Sequence, residues 1–207
     1  MDDVNVEQLC IQLADSGRNF YRRGWVLGTS GNFSAVVHRE PVQLVITASG
    51  AHKGALSPAQ FVLVAEAEGA TNGAIRPSAE VKLHFSIVRL RGAGAVLHTH
   101  STWATVLSDR YAPDGGLSIE GYEMLKGLSG VSTHEHREWL PILENSQDYV
   151  LLAANVEATL ERHEAAHGLL LRRHGLYTWG QNVGEAQRHV EILEFLLEVI
   201  GRTQLQV

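Results

Sequence analysis

Apolar residues recur at helical spacing over residues 6–23, "VEQLCIQLADSGRNFYRR", where Leu9, Leu13 and Phe20 fall near one face and predict an N-terminal helix. The pattern then changes period. "FSAVVH" and "LVITAS" read as strands, with Arg39-Glu40-Pro41 as the turn between them. Ser57-Pro58-Ala59-Gln60 opens a short turn or helix, and "FVLVAEAEG" returns as a strand ending in glycine. Pro77-Ser78-Ala79-Glu80 predicts a helix start with Ser78 as N-cap and an apolar face through Leu83, Ile87 and Leu90. "GAVLHTHS" is a strand behind a glycine-rich turn, "WATVLSD" a helix, and "GYEMLKGL" a short helix stopped by glycine. Residues 149–167 read as an amphipathic helix with Gly168 as C-cap. "GLLLRRHGLYTWG" is a strand pair or a strand with a turn. Residues 183–201 form a long helix carrying Val190, Leu193, Leu197 and Ile200 on one side. Helices alternating with strands give an α/β layered architecture. The length of 207 residues predicts one domain over 1–207.

Composition narrows the function classes. The formal net charge is -6 and no Lys/Arg block stands out, which argues against nucleic acid or an anionic membrane as partner. The single cysteine, Cys10, cannot form an intrachain disulfide, and its neighbours place it as a buried thiol on a helix face. The polar, acidic N-terminus has neither a signal-peptide pattern nor a membrane-spanning run, so the expected location is the cytoplasm. Histidine is the outlier, with 11 residues, and it directs attention to metal chemistry.

One stretch, "RHEAAHGLLLRRHG", contains His163-Glu164-x-x-His167, the pattern of zinc peptidases. The extended pattern fails, with Arg173 where a third ligand belongs, and residues 161–164 look like the solvated end of a helix. A better candidate lies upstream. His98 and His100 stand two apart on a strand, so both rings project from the same face. His174 ends another strand and supplies a third imidazole. Three histidines plus open positions is the catalytic style of zinc site. His134 and His136 of "THEHRE" form a rival pair among charges, read here as a solvated loop. His38, His52, His84 and His189 have no ligand-like partners in the sequence.

Two loops suit an anion. "LGTSGNFS" holds Gly28, Ser30, Gly31 and Asn32, and "TASGAHKG" holds Ser49, Gly50 and Lys53. Small residues let backbone N–H groups approach a phosphate, hydroxyls add hydrogen bonds, and Lys53 adds charge. Ser78 at a helix start completes the set.

"GTSGNFS", "TASGAHKG", "RPSAE", "RGAGAVLHTHS" and "LLLRRHGLYTWG" occur in an order and spacing that resembles the class II, zinc-dependent sugar-phosphate aldolase superfamily over nearly the whole chain. "YEMLKG" and "PILENSQD" are most similar to a branch of dehydratases that remove water from a phosphorylated ketose. The resemblance implies a three-layer α/β/α fold with a central mixed, largely antiparallel sheet. It implies one Zn²⁺ per subunit on His98, His100 and His174, and substrate phosphate around Gly31, Asn32, Ser49, Gly50, Lys53 and Ser78. It puts the acid/base carboxylate on Glu123, with Glu80 in the position where aldolase relatives carry theirs. Gly121-Tyr122 and Thr47-Ala48 depart from the residues usual beside these motifs. The expected assembly is a homo-oligomer, a cyclic tetramer with sites near subunit boundaries. The second expectation is an aldolase cleaving a deoxyketose 1-phosphate. A non-catalytic, adducin-like binding module is the third, and the retained histidines argue against it.

Overall fold

A computed structural model describes residues 5–66, 69–70 and 75–204. The first helix, α1 (Val6–Arg22), starts where the Asn5 side chain accepts a hydrogen bond from the Gln8 amide. Then come β1 (Asn32–Arg39), β2 (Val42–Thr47), β3 (Phe61–Ala65) and the short β4 (Gly69–Ala70). They are followed by α2 (Val81–Arg91), β5 (Ala95–Thr99), α3 (Thr102–Arg110), β6 (Gly116–Glu120) and β7 (Arg137–Leu143). The chain ends with α4 (Tyr149–Arg162), β8 (Gly168–Leu171), β9 (Gly175–Gly180) and α5 (Val183–Gln204). The strands build one nine-stranded sheet in the order β4-β3-β2-β1-β5-β9-β8-β7-β6. Every pairing is antiparallel except β7 with β8.

Alternation along β1 shows how the layers assemble. Phe33 meets Phe20 of α1, edge to face with ring centroids 5.8 Å apart. Its neighbour Ser34 points to the other face, where its hydroxyl bonds His84 of α2 at 2.7 Å. β5 repeats the division: Thr99 donates to Glu194 of α5, while His98 faces the cleft described below. Thus α1, α3 and α5 cover one face of the sheet, and α2 and α4 cover the other. This is the expected mixed, largely antiparallel three-layer arrangement. Cys10 is a buried free thiol, as its helical context suggested.

Two local expectations are corrected. Ser78 does not cap α2. The helix begins at Val81 with Glu80 in the cap position, because residues 76–78 pair with the end of β2: the Ser49 amide donates to the Arg76 carbonyl, and the Ser78 amide to the Thr47 carbonyl. α4 stops at Arg162, not 167, and Gly168 opens β8. Arg91 of α2 ends it by donating to the carbonyls of Leu160 and His163 at 2.9 and 2.8 Å. The short helix expected in "GYEMLKGL" is present as a 3-10 helix over Glu123–Gly127, ending at the glycine. The predicted strand through Gly69 runs as β3 to Ala65, and its residues Ala67 and Glu68 lie outside the described residues.

Candidate active site

Sheet register builds the site. Asn32 of β1 pairs with His98 of β5, and His98 pairs with Tyr177 of β9. Directly opposed residues share a face, so the three side chains form a row across the central strands. The His98 ring stacks on Tyr177 at 3.8 Å with planes 10° apart. His100 leaves the end of the same strand, fixed by its amide donating to the Trp25 carbonyl at 2.7 Å.

His174 arrives from the turn between β8 and β9. That turn holds Arg173 at φ 54°, a left-handed conformation uncommon outside glycine. The Ser108 hydroxyl secures it by accepting from the Arg173 amide at 3.0 Å. Gly175 is required beside it, since an added Cβ would lie 1.9 Å from the Thr99 carbonyl oxygen. Gly31 is bound by the same logic: it sits at φ 75°, and a Cβ would lie 2.6 Å from the His98 carbonyl oxygen.

The three imidazoles converge through their Nε2 atoms. His98 Nε2 lies 2.8 Å from His100 Nε2 and 3.3 Å from His174 Nε2. Its Nδ1–H donates to the Leu176 carbonyl at 2.9 Å, which leaves the Nε2 lone pair pointing inward. Burial, aided by repulsion from the other two rings, holds His98 well below the usual histidine range. Burial brings His100 down to about 3 and also lowers His174, where the Glu80 carboxylate opposes it. Neutral rings with converging lone pairs repel one another unless a cation lies between them. This donor set fits a divalent metal held by three histidines.

Glu80 stands beside the triad. Its carboxylate oxygens lie 3.6 Å from His98 Nε2 and 3.6 Å from His174 Nε2. The Asn32 side-chain amide donates to Glu80 Oε2 at 2.6 Å. His84 Nε2–H donates in turn to the side-chain Oδ1 of Asn32, and Ser34 donates to His84 Nδ1. Burial keeps His84 neutral, with its pKa lowered to about 3. The sequence offers His84 no ligand-like partner; in the fold it anchors a buried chain that orients Glu80. The Asn32 side chain is engaged in that chain, and Asn32 also lines the cleft that the anion loops border.

Those loops border the same cleft of about 280 Å³, where Gly31, Ser49, Gly50, Lys53 and Ser78 come together with Glu80, His100 and His174. Lys53 ties the loops to each other. Its ammonium donates to the carbonyls of Thr29 at 3.0 Å and Ala51 at 2.9 Å, and burial lowers its pKa to about 8. Asn145, Gln147 and Tyr149 also line the cleft, and sequence reading gave them no role. The signal was present in "ENSQD". Asp148 caps α4 by accepting from the amides of Val150 and Leu151, which sets Tyr149 at the helix mouth beside the cleft.

Glu123 is elsewhere. It follows β6, which runs antiparallel to β7, while β7 and β8 run parallel. The Glu123 turn therefore lies at the end of these strands opposite to His174. Glu123 is exposed and paired with Lys126 at 2.6 Å. The peptidase pattern is also dispersed: His163 is the residue that ends α4 and His167 lies beyond the helix, so they share no helix face. Among the described residues no helix is long and apolar enough to cross a membrane.

The Class II Aldolase and Adducin N-terminal domain family matches residues 11–200, and the chain belongs to that family. Among relatives, methylthioribulose-1-phosphate dehydratase of Pseudomonas fluorescens is 45% identical over 96% of this chain and 94% of its own length. The protein of the same name from Sorangium cellulosum is 44% identical, covering 94% and 92%. The fold matches a solved L-fuculose-1-phosphate aldolase from Thermus thermophilus, with a TM-score of 0.76 and 22% identity over 97% of each chain.

Proposed function

We propose that this chain dehydrates 5-methylthioribulose 1-phosphate to 2,3-diketo-5-methylthiopentyl 1-phosphate, a zinc-dependent hydro-lyase step of methionine salvage. The observation that carries this reading is the meeting of three neutral imidazoles with the Glu80 carboxylate in a cleft bordered by two anion loops. The likeness to the two named dehydratases selects the reaction within the family.

In this reading His98, His100 and His174 hold the metal, one Zn²⁺ per subunit. The bound metal supplies Lewis acidity to a ketose carbonyl and so acidifies the neighbouring C–H. The amides of Gly31, Ser49 and Gly50, with Ser78 and the Lys53 charge, hold the phosphate and fix the ketose end on. Asn32 acts as a positioning residue for Glu80. Glu80 accepts the proton from C3, the C4 hydroxyl leaves as water on receiving a proton, and the resulting enol tautomerises to the diketone. Glu123 serves as the acid/base partner only in the cleft of a neighbouring copy, which fits the expected cyclic tetramer. In this reading residues 1–207 form a single class II aldolase-like domain.

The runner-up is aldol cleavage of a deoxyketose 1-phosphate, since the same acidified centre supports loss of the C3–C4 bond. Zinc-loaded enzyme should be given 5-methylthioribulose 1-phosphate and fuculose 1-phosphate in parallel. Turnover of the first alone supports the dehydratase, whereas aldehyde release from the second alone replaces it with the aldolase.

A further inference from the structure

A second cluster of donors lies at the opposite end of the β7–β8 pair from His174. Glu138 is the second residue of β7, His136 comes from the loop before that strand, and His167 directly precedes β8. The sequence pattern places His136 in a solvated loop and His167 at a helix end. The structure brings both onto one buried carboxylate oxygen: Glu138 Oε2 lies 2.9 Å from His136 Nε2 and 2.8 Å from His167 Nδ1.

We propose that His136, Glu138 and His167 form a second divalent-cation site of zinc-like preference, separate from the His98–His100–His174 cluster. The backbone fixes the proton on one ring nitrogen of His167. Its Nε2–H donates to the Ser129 carbonyl at 2.8 Å. A neutral His167 therefore turns the Nδ1 lone pair toward an anionic oxygen, and the contact at 2.8 Å requires a positive centre. Glu138 is 1% exposed, so solvent does not balance its charge. Its other oxygen accepts from the His167 amide at 2.8 Å, which locks the carboxylate plane.

The three donor atoms lie within 4.8 Å of one another. Two imidazoles and a carboxylate suit zinc, and an imidazole whose far N–H is fixed by a backbone carbonyl is the usual support for a ligand. A cavity of about 380 Å³ opens beside His136 and His167, with room for a water as a further ligand. The site also has a consequence for the fold. Ser129, whose carbonyl holds His167, donates its amide to His189 Nε2 at 3.0 Å and its hydroxyl to Glu185. A cation here fastens the segment after Glu123 to the sheet.

The competing occupant is a proton, which would make His167 an imidazolium paired with Glu138. Metal counting separates the two. Protein stripped with chelator should be titrated with Co²⁺ and with Zn²⁺, and the bound metal counted by elemental analysis. The proposal expects two equivalents per chain in the wild type. It expects one in His136→Ala, a half-buried position whose removal spares the core, and one in the His98→Ala/His100→Ala/His174→Ala variant. A metal count unchanged by His136→Ala overturns the second site. The triple variant reads the first cluster separately, so a failure there leaves the His136 comparison intact.

Discussion

The side-chain amide of Asn32, at the start of β1, donates to Glu80 Oε2 at 2.6 Å, joining the first strand of the site to the residue that precedes α2. Without this bond the buried carboxylate loses its orientation while the imidazoles stay in place. Asn32→Ala should lower kcat by roughly 10–100-fold, the range for groups that orient a reacting residue. Steady-state kinetics should show KM nearly unchanged, and metal content should stay at the wild-type value. A change confined to KM would return Asn32 to the phosphate cradle.

Removing a ligand from the triad should remove its metal. Elemental analysis of His174→Ala should show one metal fewer per chain than the wild type, and activity should vanish. His163→Ala should change neither, because His163 merely ends α4 and its carbonyl, not its ring, receives Arg91. Metal loss in His163→Ala with retention in His174→Ala would reverse the assignment.

How much of this was legible follows physical lines. His98 and His100 were readable because alternation along a strand is strict and "VLHTH" is short and apolar. The turn at His174 was readable from the glycine that follows it. The end of α4 was not, since "ERHEAAH" continues a helical pattern and Arg91, about seventy residues earlier, terminates the helix. The α2 cap was missed for a similar reason: a backbone pairing between residues 47–49 and 76–78 overrides the local preference of Ser78. His84 sits in an ordinary apolar helix, and only the fold reveals that it faces Asn32.

Glu123 should act between subunits. The variants Glu123→Gln and His98→Ala should each be inactive alone. Unfolded together at equal amounts and refolded, they should regain roughly a quarter of wild-type activity by random assortment around a head-to-tail ring. Full activity in Glu123→Gln would remove this residue from the reaction, and no recovery on mixing would place its action elsewhere.

Glu194 makes stability depend on pH. Burial beneath β5 raises its pKa from 4.5 to about 7. The folded state therefore binds more protons than the unfolded state between these values, and stability falls as pH rises through that window. The contribution amounts to about 3 kcal/mol, fully present below pH 4.5 and lost above 7. Urea unfolding from pH 4.5 to 8 should show this slope in the wild type and a flatter one in Glu194→Gln. Identical slopes would show that Glu194 is not the group responsible.

The bond that breaks at C4 separates dehydration from aldol cleavage, and one substrate decides it. Carbon-13 NMR should follow 5-methylthioribulose 1-phosphate incubated with the zinc-loaded enzyme. The expected outcome is a single product with the C3–C4 bond intact, two adjacent carbonyls at C2 and C3, and a methylene at C4. Dihydroxyacetone phosphate together with (methylthio)acetaldehyde would contradict it and make the protein an aldolase.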